Sequence, residues 1–167
     1  WNYPVNLALM PLVAAIGAGN HVMLKPSEHT PRTSQVLAEL LADAFPADRV
    51  ATVLGDAGVA ASFAALPFDH LFFTGSTEVG RKVMAAAAPN LTPVTLELGG
   101  KSPAIIAPDY PIRTATERIA YGKFLNAGQT CIAPDYVLLP RAQIPGFVEA
   151  MREYVSRAYP DAVASPD

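Results

Sequence analysis

The sequence predicts an α/β protein in which a parallel β-sheet is covered by helices on both faces. Two patterns predict this fold. Short apolar runs alternate along the chain with longer segments in which apolar residues recur at helical spacing. Strands that are continuous apolar runs, separated by helices, are typical of parallel sheets whose two faces are both buried.

The individual elements follow from these two patterns. Apolar runs predict strands at residues 21–25, 50–54, 70–73, 94–98, 104–107 and 136–139. Helical spacing predicts helices near residues 7–16, 31–45, 57–65, 77–88, 111–125 and 147–155. Gly17 and Gly19 end the first helix, and Thr30, followed by Pro31, is expected to cap the second. In the fifth helix, four residues are expected to face the interior or nearly so: Ile112, Ala115, Ile119 and Tyr121.

Composition and charge exclude several classes of function. The net charge is −3 without a basic cluster, so nucleic-acid binding has little support. The longest apolar run, residues 7–18, is shorter than the roughly 20 residues that cross a bilayer, so no membrane partner is expected. The single cysteine excludes an internal disulfide and suits a reducing, cytoplasmic location. The three histidines lack the spacing of metal ligands, so no metal site is expected.

Three polar motifs come directly after predicted strands, at residues 25–28, 74–77 and 97–100. Ligands of open parallel sheets bind beyond the carboxyl ends of the strands, so these motifs are candidate ligand contacts. The arrangement is Rossmann-like, followed by the start of a second α/β catalytic domain.

The glycine pair Gly99–Gly100 marks the expected domain break. Residues 1–98 are predicted to be part of a dinucleotide-binding domain, and residues 99–167 part of a catalytic domain that carries the cysteine. Because the chain begins directly on a motif, at Trp1, we expect it to be a piece of a larger protein.

Lys25 and Glu28 stand one turn apart after a strand. A ribose diol can donate to the carboxylate and accept from the ammonium group. If this pair binds ribose, Glu28 repels a 2′-phosphate and favours NAD over NADP. In isolation, a surface ion pair is the commoner interpretation of such spacing.

The segment from Phe73 to Thr77 combines a glycine turn with a helix start. Gly75 allows a tight turn, Ser76 or Thr77 caps the next helix, and the exposed amides of that helix favour an anion. Gly80 is expected to permit close approach by the same ligand. An ordinary capped turn between strand and helix is an equally good interpretation.

Cys131 lies in a glycine-containing segment between a helix and a strand, which favours a reactive thiol over a buried, hydrophobic one. Glu97 is either a strand-end residue that pairs with Lys101 or a general base whose pKa is raised by partial burial. Asn2 is either a turn residue or an amide donor to an oxyanion. Together the three groups are the parts needed for covalent chemistry on a carbonyl.

These motifs together resemble the aldehyde dehydrogenase superfamily. The matching segments, in the family's order and spacing, are Trp1-Asn-Tyr-Pro4, residues 19–28, residues 73–80, residues 96–103 and Gly128-Gln-Thr-Cys131. Residues 92–103 and 131–136 are most similar to the class 3 and coniferyl aldehyde dehydrogenase branch. The resemblance covers nearly the whole chain, but only about the middle third of a protein of the family's length.

The resemblance implies oxidation of an aldehyde to a carboxylic acid with NAD, and possible use of NADP. Cys131 is then the nucleophile, Asn2 and the Cys131 amide hold the oxyanion, and Glu97 activates water. The cofactor residues implied in the same way are Lys25, Ser27, Glu28, Gly75, Ser76 and Gly80.

Three hypotheses remain open from the sequence. The first is the central segment of an aldehyde dehydrogenase, whose substrate is an aromatic or aliphatic aldehyde, coniferyl aldehyde being one example. The second is a nucleotide-binding fragment without turnover, because the chain is truncated. The third is a thiol hydrolase or acyltransferase that uses Cys131. The resemblance also implies that the parent protein is a homodimer or homotetramer.

Overall fold

The structure, a computed structural model, describes residues 2–160. Trp1, which opens the first predicted motif, and residues 161–167 lie outside this range. The chain divides into two compact units, one ending at Leu98 and the other beginning at Gly99. This division falls at the predicted break, whereas the roles given to the two halves stay predictions.

The first unit alternates helices and strands in the predicted order. Its elements are α1 (Pro4–Gly17), β1 (Val22–Leu24), α2 (Pro31–Ala44), β2 (Val50–Thr52), α3 (Ala57–Ala64), β3 (Leu71–Gly75), α4 (Thr77–Ala87) and β4 (Val94–Leu98). A short 3-10 helix, Ala88–Asn90, connects α4 with the loop before β4.

The second unit contains the same alternation on a smaller scale. Its elements are β5 (Ser102–Ile105), α5 (Ile112–Phe124), β6 (Pro134–Leu138) and α6 (Ile144–Ala158). Two 3-10 turns, Leu125–Gly128 and Arg141–Gln143, precede β6 and α6 respectively, and the first of them leads toward the cysteine.

All strand pairing in the described part of the chain is parallel, which confirms the predicted α/β class. The strands form three separate pairs, β1 with β2, β3 with β4, and β5 with β6, rather than one continuous ladder. Parallel pairing places the carboxyl ends of both strands of a pair at the same edge. Each pair therefore has one edge at which the loops after its two strands meet.

An apolar cluster holds α1 and α2 against the β1–β2 pair. Leu12, Leu41 and Val50 are buried at its centre. Partly buried hydrophobic side chains surround them: Leu9, Ile16, Val22, Leu24 and Phe45. Full burial of one such side chain contributes about 1.5–3 kcal/mol, so this cluster stabilises the packing of α1 and α2 on the β1–β2 pair.

The buried face of α5 agrees with the prediction except at one residue. Ala115 is buried and Ile112 and Ile119 are partly buried, whereas Tyr121 is 63% exposed, so its expected inward position is wrong. Ala120 is fully buried instead. Ala115 and Thr116 complete a stripe of small side chains, and the Thr116 hydroxyl donates to the Ile112 carbonyl oxygen at 2.8 Å. The neighbouring α6 packs on α5, and small residues allow that close approach.

No helix formed by residues 2–160 has the length and apolar character needed to span a membrane.

Candidate active site

Glu97 and the Gly75 turn lie at the same edge of the β3–β4 pair. Thr74 pairs in register with Glu97, and Gly75 pairs with Leu98. The side chain of Glu97 is exposed, while Leu96 and Leu98 on either side of it are partly buried. The strand alternation therefore presents the carboxylate to solvent, and the partial burial expected for Glu97 is not found in this unit.

Ser76 is the N-cap of α4. The backbone N–H of Val79 donates to the Ser76 hydroxyl oxygen at 3.2 Å, which confirms the capping expected from the sequence. A serine hydroxyl that accepts this bond still has its own O–H to donate. The helix start consequently offers a hydroxyl and backbone amides to an anion, the arrangement that favours phosphate.

Both glycines of this turn are explained by close packing. A Cβ built on Gly75 would lie 2.5 Å from Cζ of Phe73, and one on the buried Gly80 would lie 2.9 Å from Cδ2 of Leu98. Gly80 thus lets α4 approach the end of β4. The predicted contact of these glycines with a ligand stays a prediction.

Lys25 and Glu28 form an ion pair after β1. The Lys25 ammonium donates to Glu28 Oε2 at 2.8 Å, and the Lys25 side chain is only 8% exposed. This hydrogen bond from Lys25 is the main cause that lowers the pKa of Glu28 below its ordinary value. The pair is therefore a fixed, ionised unit that presents a carboxylate to solvent.

Ser27 holds the turn between these two residues and α2. The His29 N–H donates to the Ser27 hydroxyl oxygen at 3.2 Å, and the Ser34 hydroxyl donates to the Ser27 carbonyl oxygen at 3.0 Å. Thr30 occupies the N-cap position, but its side chain makes no capping bond to the helix and instead donates to the Ser27 carbonyl oxygen. The predicted position of the N-cap is therefore confirmed, but the expected hydrogen bond from the helix backbone to the Thr30 side chain is not formed.

Asn2 precedes α1 and is partly buried. Pro4 occupies the first position of that helix, where the missing N–H costs no helical hydrogen bond. The segment Asn2–Tyr3 is thus fixed to the start of a rigid element.

Cys131 is a free and exposed cysteine in the second unit. It lies in a turn closed by the Ala133 N–H, which donates to the Thr130 carbonyl oxygen at 3.0 Å, directly before β6. The alternative of a buried hydrophobic cysteine is therefore wrong in this structure. An accessible thiol on a loop is the setting that nucleophilic chemistry requires.

The loop before Cys131 runs through three consecutive residues with positive φ. These angles are 52° at Asn126, 55° at Ala127 and 76° at Gly128. The left-handed conformation costs roughly 1–2 kcal/mol for a residue that carries a Cβ, and Ala127 lacks the polar side chain that lets asparagine tolerate it. The loop is closed by the Gln129 N–H, which donates to the Asn126 carbonyl oxygen at 3.0 Å.

The profile of the aldehyde dehydrogenase family matches residues 1–163. The chain belongs to the aldehyde dehydrogenase family. It is 57% identical over 167 residues to a probable coniferyl aldehyde dehydrogenase of Pseudomonas aeruginosa, and covers 35% of that protein. It is 52% identical over 167 residues to the coniferyl aldehyde dehydrogenase of Pseudomonas sp. strain HR199, again covering 35% of it. Family 3 members from mouse and rat are further aldehyde dehydrogenase relatives.

Solved aldehyde dehydrogenase structures share the fold of this chain. AldH of Staphylococcus aureus, in a substrate-bound state, matches 95% of the chain and 35% of its own length, with 43% identity and a TM-score of 0.89. An aldehyde dehydrogenase of Mycobacterium tuberculosis, complexed with NAD+, matches 93% of the chain and 33% of its own length, with 37% identity and a TM-score of 0.86. The chain spans about a third of the length of the curated relatives it matches. The resemblance inferred from the motifs is thus confirmed.

The structure groups the predicted aldehyde dehydrogenase residues by unit. The first unit brings Glu97 to the edge where Gly75 and Ser76 lie, and pairs Lys25 with Glu28. Cys131 lies in the second unit. The sequence analysis missed Asp135, whose carboxylate accepts from Lys101 at 3.3 Å, because the partner lies far away in the sequence. Pairing with Lys101 was only one of the interpretations of Glu97, and in the second unit Lys101 contacts Asp135.

Proposed function

We propose that the whole protein oxidises an aldehyde to a carboxylic acid with NAD+, and that Cys131 is the nucleophile. The observation that carries this proposal is the exposed, free thiol of Cys131 on a structured loop in a chain of the aldehyde dehydrogenase family. The names of the most similar relatives support the same reaction class.

The residues of the chain supply most of the chemistry. The Cys131 thiolate attacks the carbonyl carbon and forms a thiohemiacetal, whose oxyanion is held by the Asn2 amide and the Cys131 N–H. Oxidation of this adduct leaves a thioester on Cys131. Glu97 then takes a proton from water, and the resulting hydroxide releases the carboxylic acid. Removal of one oxyanion donor typically costs about 10²–10³ in rate.

The first unit has groups that fit a dinucleotide. The Ser76 hydroxyl and the start of α4 fit a phosphate, and the Lys25–Glu28 pair fits a ribose diol, with Ser27 fixing the turn between them. When bound, NAD+ supplies the hydride acceptor that aldehyde oxidation requires. The ionised Glu28 disfavours a 2′-phosphate, so we propose NAD+ as the preferred cofactor and NADP+ as a weaker one.

The substrate class rests on the relatives. The two coniferyl aldehyde dehydrogenases that match the whole chain suggest an aromatic aldehyde, with coniferyl aldehyde as the first compound to assay.

A second candidate concerns the 167 residues alone, namely nucleotide binding without turnover. Ile105 and Ile132, on β5 and beside Cys131, are each 75% exposed. Exposed apolar side chains of this kind favour contacts with further protein. On this view the catalytic centre is complete only in the whole protein, which we expect to be a homodimer or homotetramer.

The experiment follows the reduced cofactor by absorbance in the whole protein with NAD+ and coniferyl aldehyde. Cys131→Ala should lower kcat by on the order of 10⁴-fold or more, as removal of the nucleophile does in other enzymes that form a covalent intermediate. Glu97→Gln should give a burst of about one reduced cofactor per active site followed by slow turnover, because the thioester accumulates.

The two variants test different steps, Cys131→Ala the attack on the aldehyde and Glu97→Gln the hydrolysis of the thioester. Undiminished activity in Cys131→Ala removes the thiol from the mechanism. A Glu97→Gln variant without a burst, but with a fully active thiol, removes Glu97 from the hydrolytic step.

A further inference from the structure

Gly100 lies against the main chain of Cys131. A Cβ built on Gly100 would lie 2.7 Å from the carbonyl oxygen of Cys131 and 3.9 Å from its carbonyl carbon. The φ angle of Gly100 lies outside the left-handed region, so conformation does not demand a glycine here. The obstacle is backbone, which cannot rotate aside as the end of a flexible side chain can. A side chain at position 100 therefore requires a shift between the backbone of Gly100 and the carbonyl group of Cys131.

The next residue, Lys101, reaches the segment that follows Cys131. Its ammonium donates to Asp135 Oδ1 at 3.3 Å, and Lys123, near the end of α5, approaches the same oxygen at 4.0 Å. Because the Lys101 side chain is 81% exposed, solvent screens this pair and its contribution to stability is small. The ion pair restricts how the segment around Gly100 lies against the segment after Cys131, although it adds little to the stability of the protein.

The pairing of β5 with β6 is irregular at this place. Ser102 pairs with Pro134 and Pro103 pairs with Tyr136, so Asp135 is skipped in the register. An extra residue of this kind breaks the alternation of side chains and redirects the one that is left unpaired. The Asp135 carboxylate that accepts from Lys101 belongs to that skipped residue.

These three features join the segment at residues 99–102 to the segment at residues 131–135. The contacted carbonyl group is bonded to the Cα of Cys131, and the same Cα bears the thiol side chain and the N–H proposed to hold the oxyanion, so a shift of this carbonyl group moves both. A displacement of 1 Å at a reacting centre can cost on the order of 10²-fold in rate. We propose that Gly100, assisted by the Lys101–Asp135 ion pair, is a positioning residue that fixes the Cys131 peptide for attack. This inference rests on the proposed function of Cys131.

The neighbouring glycine provides a matched control. A Cβ on Gly99 would meet nothing within 4 Å among residues 2–160, and Gly99, like Gly100, has no positive φ in the structure. In the whole protein, Gly100→Ala should lower kcat by about 10²-fold while the KM for NAD+ changes little. Gly99→Ala should lower kcat much less than Gly100→Ala does. Equal losses in the two variants, or an unchanged kcat in Gly100→Ala, would overturn the proposal.

A second measurement is independent of aldehyde oxidation. The Cys131 thiolate displaces iodide from iodoacetamide, and the alkylated peptide is quantified by mass spectrometry. Gly100→Ala should change the rate of this alkylation and Gly99→Ala should not. If Cys131→Ala retains full aldehyde oxidation, the proposed function fails, whereas an unaltered alkylation rate in Gly100→Ala counts against the positioning role alone.

The ion pair keeps the proposal testable if Gly100→Ala does not fold. Asp135→Asn and Lys101→Met should each lower kcat about 2–5-fold, and the double variant should be no worse than either single one. Lys123→Met, which removes the longer contact, should have a smaller effect. Fully additive losses, or no loss in either single variant, would contradict the role given to the pair.

Discussion

The two units differ in the ion pairs that their described residues form. In the first, the partners are close in sequence: Lys25 with Glu28, and Glu78 with Lys82. In the second, the partners are distant: Lys101 with Asp135, and Arg113 with Glu153 at 2.7 Å. Local partners can be inferred from short motifs, whereas distant ones require the fold.

The backbones of the two candidate regions differ as well. The turn at Gly75 and Ser76 joins a regular strand to a regular helix, and its cap residue is extended. The loop before Cys131 contains the left-handed run from Asn126 to Gly128. Strained backbone persists only where the surrounding structure fixes it, and it is common at sites of chemistry. We infer that the left-handed run lowers the stability of the cysteine loop and, in return, fixes the position of Cys131.

The largest effect that tests this contrast is expected at Gly128. Gly128→Ala places a Cβ on a residue with φ of +76°, and that Cβ would lie 3.1 Å from the Lys123 carbonyl oxygen. The variant should lose about 1–2 kcal/mol of unfolding free energy, measured by urea denaturation of the whole protein. The opposite change, Ala127→Gly, should raise the unfolding free energy or leave it unchanged.

One result would contradict this prediction. If Ala127→Gly lowers the unfolding free energy as much as Gly128→Ala does, the left-handed run is not a source of strain, and the contrast between the two regions fails.

A smaller effect is expected from the cap of α4. Ser76→Ala should cost about 1 kcal/mol of unfolding free energy, because the Val79 N–H loses its acceptor. It should also weaken NAD+ binding, measured by calorimetry. Ser76→Asn, which keeps a capping acceptor, serves as the control and should recover most of the stability. Equal stability of all three proteins would show that the cap contributes nothing.

The smallest effect concerns the charge of Glu28. Its pKa is lowered, chiefly by the hydrogen bond from Lys25, so the stability it contributes is present above the ordinary value of 4.5. That stability is lost as the pH falls through the lowered pKa. The difference in unfolding free energy between the unmodified protein and Glu28→Gln should therefore shrink as the pH falls below 4.5, measured by denaturation at several pH values.

The same variant tests cofactor choice. Glu28→Gln should weaken the preference for NAD+ over NADP+, because the charge that repels a 2′-phosphate is removed. Glu78→Gln is the matched control, since Lys82 lowers the pKa of the exposed Glu78 in a similar way outside the candidate ribose site. An unchanged ratio of the two dissociation constants in Glu28→Gln would refute this role.

Much of the fold could be predicted from the sequence, because each element has its own local signal. Apolar runs located the six strands formed by residues 2–160 to within a few residues, and Ser76 was a correct cap. Tyr121 was misplaced because it follows Ile119 by two residues and so lies about 200° around α5 from it, on the opposite face of the helix. The three separate strand pairs were not foreseen, since pairing depends on which strands meet in space.

The candidate site shows the same limit. Residue types and spacing identified Cys131, Glu97 and Ser76 as candidates, because nucleophiles, carboxylates and caps have recognisable settings. The spatial relation of Gly100 to the Cys131 carbonyl has no local signature, as a pair of glycines is also an ordinary turn. Asp135 was missed because its pairing with Lys101 depends on the register of β5 against β6.

The skipped register at Asp135 has a consequence for insertions and deletions. Removing this one residue would make the ladder regular with all its present pairs kept, but it would also remove the carboxylate that Lys101 contacts and the local bend that an extra residue gives a strand. A replacement of Asp135 removes the carboxylate and leaves the bend in place. We therefore expect a deletion at this position to disturb the segment that follows the thiol more than a replacement does.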